Sequence, residues 1–102
     1  MYSRFQNLPL TYRTLDFSRC PSYWELHETL RRELELPDWY GRNWDALWDS
    51  VTGIMAVPAD ITIVFHPQTK AAESLRSDVE KVVEIFQDAL QKYDMILLHV
   101  DM

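Results

Sequence analysis

With 102 residues and 47% apolar content, the chain is long enough for one domain around one core and too short for two of ordinary size. Its formal net charge of -6 argues against a polyanionic partner, because affinity for nucleic acid comes largely from Lys and Arg neutralising phosphates, and the 10 basic residues are scattered. No run approaches the roughly 20 apolar residues needed to cross a bilayer, the first residues lack a secretory apolar region, and the single Cys20 can form no internal disulfide, so a cytoplasmic, reducing setting is expected.

Residues 1–10 read as an N-terminal extension to a single domain over 11–102. Thr11 to Phe17 (TYRTLDF) alternates bulky and polar side chains, which predicts a first strand. Ser22 with Glu25 makes a capping box, and Tyr23, Leu26, Leu30 and Leu34 share one face of a helix running towards Pro37. Asn43 is a good N-cap for a short helix to about Val51, whose Trp44, Leu47, Trp48 and Val51 cluster on one side towards the core. Asp60 to Phe65 (DITIVF) is nearly continuous in β-branched residues, as expected of a central strand covered on both faces. A second capping box, Ser77 with Glu80, opens a helix to about Lys92 with an apolar stripe of Val79, Val82, Val83, Phe86 and Leu90. Met95 to Val100 (MILLHV) reads as a last buried strand. Alternating strands and helices predict an α/β fold, a small three-stranded parallel sheet with packed helices.

The short helix after Asn43 is where function is expected. The chain has only two glycines, Gly41 and Gly53, and they bracket it. Asp45 and Asp49, four apart, project together beside the apolar stripe. Asp45, in the first turn, interacts favourably with the helix dipole and needs no further purpose. Asp49 is placed near the C-terminal end, where the dipole disfavours an anion by about 0.3 to 1 kcal/mol. Its spacing from Asp45 adds a repulsion of roughly 0.2 to 0.5 kcal/mol. The positions three and four away hold Ala46, Asp45, Thr52 and Gly53, so no cation on this helix relieves it.

Trp39, Tyr40, Trp44 and Trp48 crowd the same stretch. A helix of about two turns can bury about two such rings, leaving an aromatic patch with acids at its edge, the composition of a binding hot spot. Asp88 points away from the stripe of its own helix and is expected to be exposed. Ile85, off that stripe, is expected to extend an apolar contact surface.

The string W-Y-G-R-N-W-D-A-L-W-D-S-V-T-G, from Trp39 to Gly53, closely resembles the signature of the barstar family, intracellular inhibitors of secreted bacterial ribonucleases. The likeness continues through L-H-E-T-L-R-R-E-L-E-L-P (Leu26 to Pro37) and V-V-E-I-F-Q-D-A (Val82 to Ala89), covering nearly everything after about Thr11. It implies a barstar-like fold in which the helix after Asn43 and the loop before it enter a ribonuclease active site, with Asp49 the principal acid and Asp45 beside it. The implied partner is a basic, extracellular-type ribonuclease held in a 1:1 complex. Trp48, Asn43, Thr52 and Gly53 match contact positions unchanged, and Ile85 falls where the family has a small apolar contact. Trp39 stands for a tyrosine, Trp44 for a leucine, Ile54 for a tryptophan and Asp88 for a glutamate. The implied partner-binding set is therefore Trp39, Asn43, Trp44, Asp45, Trp48, Asp49, Thr52, Gly53, Ile85 and Asp88.

Other classes fit less well. Paired carboxylates beside aromatic rings also suit a small glycosidase, but that chemistry needs a deep sugar cleft with one acid perturbed. An acidic regulator of some other nucleic-acid-binding protein would use the same surface. His27 is expected in the core, His66 in a loop and His99 in the last strand, and no metal-ligand spacing, and so no metal or other cofactor, is indicated.

Overall fold

The computed structural model describes residues 10–102, so the expected extension lies, except for Leu10, outside the described residues. Three strands, β1 (Thr11–Asp16), β2 (Ala59–Val64) and β3 (Ile96–Asp101), pair in parallel in the order β1-β2-β3. In register, Leu15 lies beside Ile63 and Ile63 beside Val100. Four helices accompany them: α1 (Tyr23–Glu33), α2 (Trp44–Gly53), α3 (Lys70–Glu73) and α4 (Arg76–Lys92). The chain thus forms the expected α/β fold, with β2 at the centre.

Strand order equals chain order, and right-handed crossovers then place the helices on one side of the sheet. This overturns the expectation that β2 is covered on both faces. Ala59, Ile61 and Ile63 are buried, whereas Asp60, Thr62 and Val64 are only half-buried. The open face is polar enough to meet water, with Asp60 of β2 within 3.0 Å of His99 on β3. The last strand is likewise not buried: as an edge strand, β3 buries only Ile96 fully. The core lies beneath the helices, where Leu15, Phe17, Leu26, Leu30, Leu47, Val51, Ile61, Ile63, Val82 and Phe86 pack together.

Helix boundaries follow local chemistry in three cases and tertiary packing in a fourth. Ser22 caps α1 by accepting from the Glu25 amide at 3.2 Å. Near its end Glu35 adopts a left-handed backbone (φ 53°), so the helix stops short of Pro37. Asn43 caps α2 by accepting from the Ala46 amide at 2.7 Å. The expected Ser77/Glu80 capping box does not form. A short α3, capped by Thr69, precedes α4, and buried Leu75 starts α4 with no side-chain cap, which leaves Ser77 inside the helix.

Candidate functional site

The loop 37–43 and α2 form one continuous segment, and its inward side is closely matched. Tyr40 turns into the core and its hydroxyl lies 2.7 Å from His27 Nδ1 on α1. Tyr23, Trp44 and Tyr40 surround the His27 ring, with centroids at 4.5, 4.9 and 5.7 Å. Burial, helped by the nearby Arg42 charge, pushes His27 down from 6.5 to about 4, so the imidazole is neutral at physiological pH. Burial likewise pushes the Tyr40 phenol up, which keeps it a hydrogen-bond donor. His27 Nε2 is buried without a partner among the described residues.

Arg42 ties the loop to α1. Its Nε donates to Glu28 Oε1 at 2.7 Å, its Nη2 makes a second bond to the same carboxylate, and its Nη1 donates to the Tyr40 carbonyl at 3.1 Å. The guanidinium also lies 4.2 Å above the Trp24 ring. These bonds hold Arg42 in a left-handed conformation (φ 49°), one that costs a non-glycine residue roughly 1 kcal/mol or more. Glu28 accepts from Arg31 as well, and its Arg42 partner holds its carboxyl below the usual carboxylate range. Gly41 sits in a close approach: a Cβ would lie 3.2 Å from that of Ala46, which would have to give way by a few tenths of an ångström.

The outward side is unmatched. Asp45 and Asp49 on α2 and Asp88 on α4 are exposed, and among the described residues no cation lies within ion-pair distance of any of them. Helix α2 runs to Gly53, two residues past its expected end. Asp49 therefore precedes the last turn, and the dipole penalty expected for it is weaker than its position near Val51 implied. What remains against Asp49 is its like-charged neighbour Asp45 and the missing cation.

Most of the expected site residues surround these acids. Asn43 and Gly53 are exposed at the two ends of α2. Trp44 and Trp48 are half-buried and pack on the core beside the fully buried Leu47 and Val51. Thr52 Oγ1 donates to the Trp48 carbonyl at 2.7 Å. Trp39 is 74% exposed, with no ring stacked on it among the described residues. Ile85 corrects the expectation: it is 6% exposed and belongs to the core, because α4 packs against both α2 and β3 and so buries a wider arc than one stripe.

Four features of this region were not foreseen from the residues. The Glu28–Arg42 pair joins positions far apart in sequence, so helical spacing gives no sign of it. Trp24 reads as one aromatic among several in α1, and Ser50 is buried inside α2. Lys92 reads as an ordinary cation in the last turn of α4, yet its ammonium lies 5.4 Å above the Trp48 ring.

Comparison with known proteins points in one direction. The family model described as "Barstar (barnase inhibitor)" matches residues 10–101. Over 67 residues the chain is 39% identical to a protein of Bacillus subtilis (strain 168) named "Putative ribonuclease inhibitor YrdF", a match covering 66% of this chain and 71% of that protein.

Proposed function

Because this chain belongs to the barstar family, we propose that it inhibits a ribonuclease by seating α2 and the loop 37–43 in the enzyme's active site. One observation carries the reading. The fold pairs the Glu28 carboxylate with two arginines, yet leaves Asp45, Asp49 and Asp88 exposed around an aromatic surface, with no cation in ion-pair distance among the described residues. An array of unpaired carboxylates presents negative charge where the phosphates of an RNA substrate would bind, and steers the chain towards a basic enzyme. Barnase and barstar are themselves the reference pair for such steering.

In this reading Asp49 is the principal anion and Asp45 its neighbour, with Asp88 contributing from α4. Trp39, Trp44 and Trp48 supply apolar area, while Asn43, Thr52 and Gly53 shape the two ends of the contact. The helix is held rigid by its Asn43 cap and by the core packing of Leu47 and Val51, so little ordering entropy is lost on binding. The partner is a basic, extracellular-type bacterial ribonuclease bound 1:1, and the chain acts in the cytoplasm as an immunity protein, with no catalysis and no cofactor of its own.

A glycosidase is disfavoured by the position of the acids. The groove of about 650 Å³ at the C-terminal ends of β1 and β2 is lined by Asp16, Arg19, Arg32 and His66 among others, and contains neither Asp45 nor Asp49. The deciding experiment titrates the chain into barnase, and into other basic secreted bacterial ribonucleases, while following RNA cleavage. Loss of cleavage at one equivalent supports inhibition. A stable complex that still cleaves RNA would replace it with a regulatory role, and turnover of sugar substrates by the chain alone would replace it with an enzyme.

A further inference from the structure

Lys92 ends α4 on the same surface as the three acids. Its ammonium stands 5.4 Å above Trp48, the residue before Asp49. With Thr52 and Gly53 it lines a groove of about 240 Å³ between the end of α2 and the turn from α4 into β3. Lys92 follows Asp88 by one helical turn, so the two side chains share a face of α4, yet they form no ion pair. Among the described residues no ion pair of Lys92 with a carboxylate is found, and Asp94, which lines the same groove, has an interaction of its own. A lysine in the last turn suits the helix dipole, which accounts for its place in α4 but does not remove its charge from the surface.

We propose that Lys92 is a specificity-determining residue of the ribonuclease-binding surface, favouring an enzyme that sets a carboxylate against the end of α4 and disfavouring one that sets Lys or Arg there. The proposal rests on the ribonuclease-inhibitor reading above. A partner that matches Asp45, Asp49 and Asp88 must be positive over most of its contact. Lys92 puts one point of opposite sign beside them, its ammonium drawn towards the Trp48 ring by an exposed cation–π contact. Like charges brought together as water leaves an interface are strongly unfavourable, so one cation at this place can separate ribonucleases that the three acids alone would accept alike.

The test uses barnase as the probe and compares the native chain with Lys92→Met, Lys92→Glu and Asp49→Ala, each checked for folding by circular dichroism and thermal unfolding. The Met variant keeps an aliphatic side chain on Trp48 and removes only the charge. Inhibition should follow the charge at position 92, with Lys92→Met tighter than the native chain by about tenfold and Lys92→Glu tighter still. The reverse order, Lys tightest and Glu weakest, also supports a charge-reading role and places a carboxylate of barnase opposite. Equal inhibition by all three side chains, or equal weakening by Met and Glu, overturns the proposal. If Asp49→Ala weakens inhibition while the Lys92 series stays flat, the inhibitor reading stands and only the role of Lys92 falls. If neither the native chain nor any variant inhibits barnase, both fall for this enzyme, whereas inhibition appearing only in Lys92→Glu supports Lys92 as the selector.

Discussion

Gly41 and Gly53 stand at opposite ends of one segment and are explained in opposite ways. A Cβ on Gly41 would press on Ala46, whereas a Cβ on Gly53 would meet nothing within 4 Å, and neither glycine has a positive φ. The same contrast runs through their surroundings. In the loop 37–43 and on the inner side of α2, the fold accounts for the residues that turn inward or cap: Tyr40 bonds His27, Arg42 bonds Glu28, and Asn43 caps the helix. On the outer side, Asp49 and Gly53 do little or nothing for the chain's own stability, and only Asp45 is favoured by the helix dipole. Where a residue costs the fold something and is not relieved, binding is the better explanation, and the two sides should answer to different measurements.

The largest effect is expected on the inner side. His27 is neutral in the fold down to about pH 4, whereas in the unfolded chain it takes up a proton below about 6.5. The unfolded state therefore binds more protons between these values, so stability is complete above pH 6.5 and is lost as pH falls towards 4. The fall corresponds to about 3 kcal/mol, readable as a drop in the urea midpoint across that window. A stability curve flat from pH 6.5 to 4 would show that the inner side is not the closed unit described here.

On the outer side, Asp49→Ala is expected to weaken binding to an inhibited ribonuclease by at least about 2 kcal/mol, the usual threshold for a hot spot. Its urea midpoint should stay level or rise, because removing the repulsion from Asp45 is worth roughly 0.2 to 0.5 kcal/mol. Equal losses of binding and stability would erase the distinction between the two sides. Tyr40→Phe is the inner counterpart: it strands a second nitrogen of buried His27 and should lower stability by about 1 to 2 kcal/mol, measured by chemical denaturation. The smallest effect is the most discriminating. Gly53→Ala should stabilise the free chain by roughly 0.5 to 1 kcal/mol, as Ala replaces Gly in a helix, while slowing or weakening association if a partner backbone approaches there. Gly41→Ala should destabilise to the extent that Ala46 cannot give way to the new Cβ.

Much of this was legible in the chain. The capping signals at Ser22 and Asn43, the apolar spacing of α1 and α4, and the β-branched run of β2 are local patterns, and here the surroundings agree with them. Asp45, Asp49 and Asp88 were legible as exposed for the same reason, since helical spacing alone turns them from the core. The misplaced features depend on neighbours. Whether β2 is covered on one face or two depends on which side the crossovers run, and whether β3 is buried depends on its being an edge strand. Ile85 was misplaced because α4 packs on two elements rather than one, and the Ser77 cap was displaced when buried Leu75 began the helix earlier.

The sequence by itself determined the parallel α/β order, the short acidic helix and the resemblance that led to a ribonuclease inhibitor, because periodicity, capping and motif are properties of adjacent residues. Only the tertiary structure decided which charges are relieved. Glu28 and Arg42 meet across two elements, Lys92 arrives over Trp48 from the far end of α4, and among the described residues no cation arrives beside Asp49. Electrostatic energy depends on distance in space, and that is set by packing rather than by spacing along the chain.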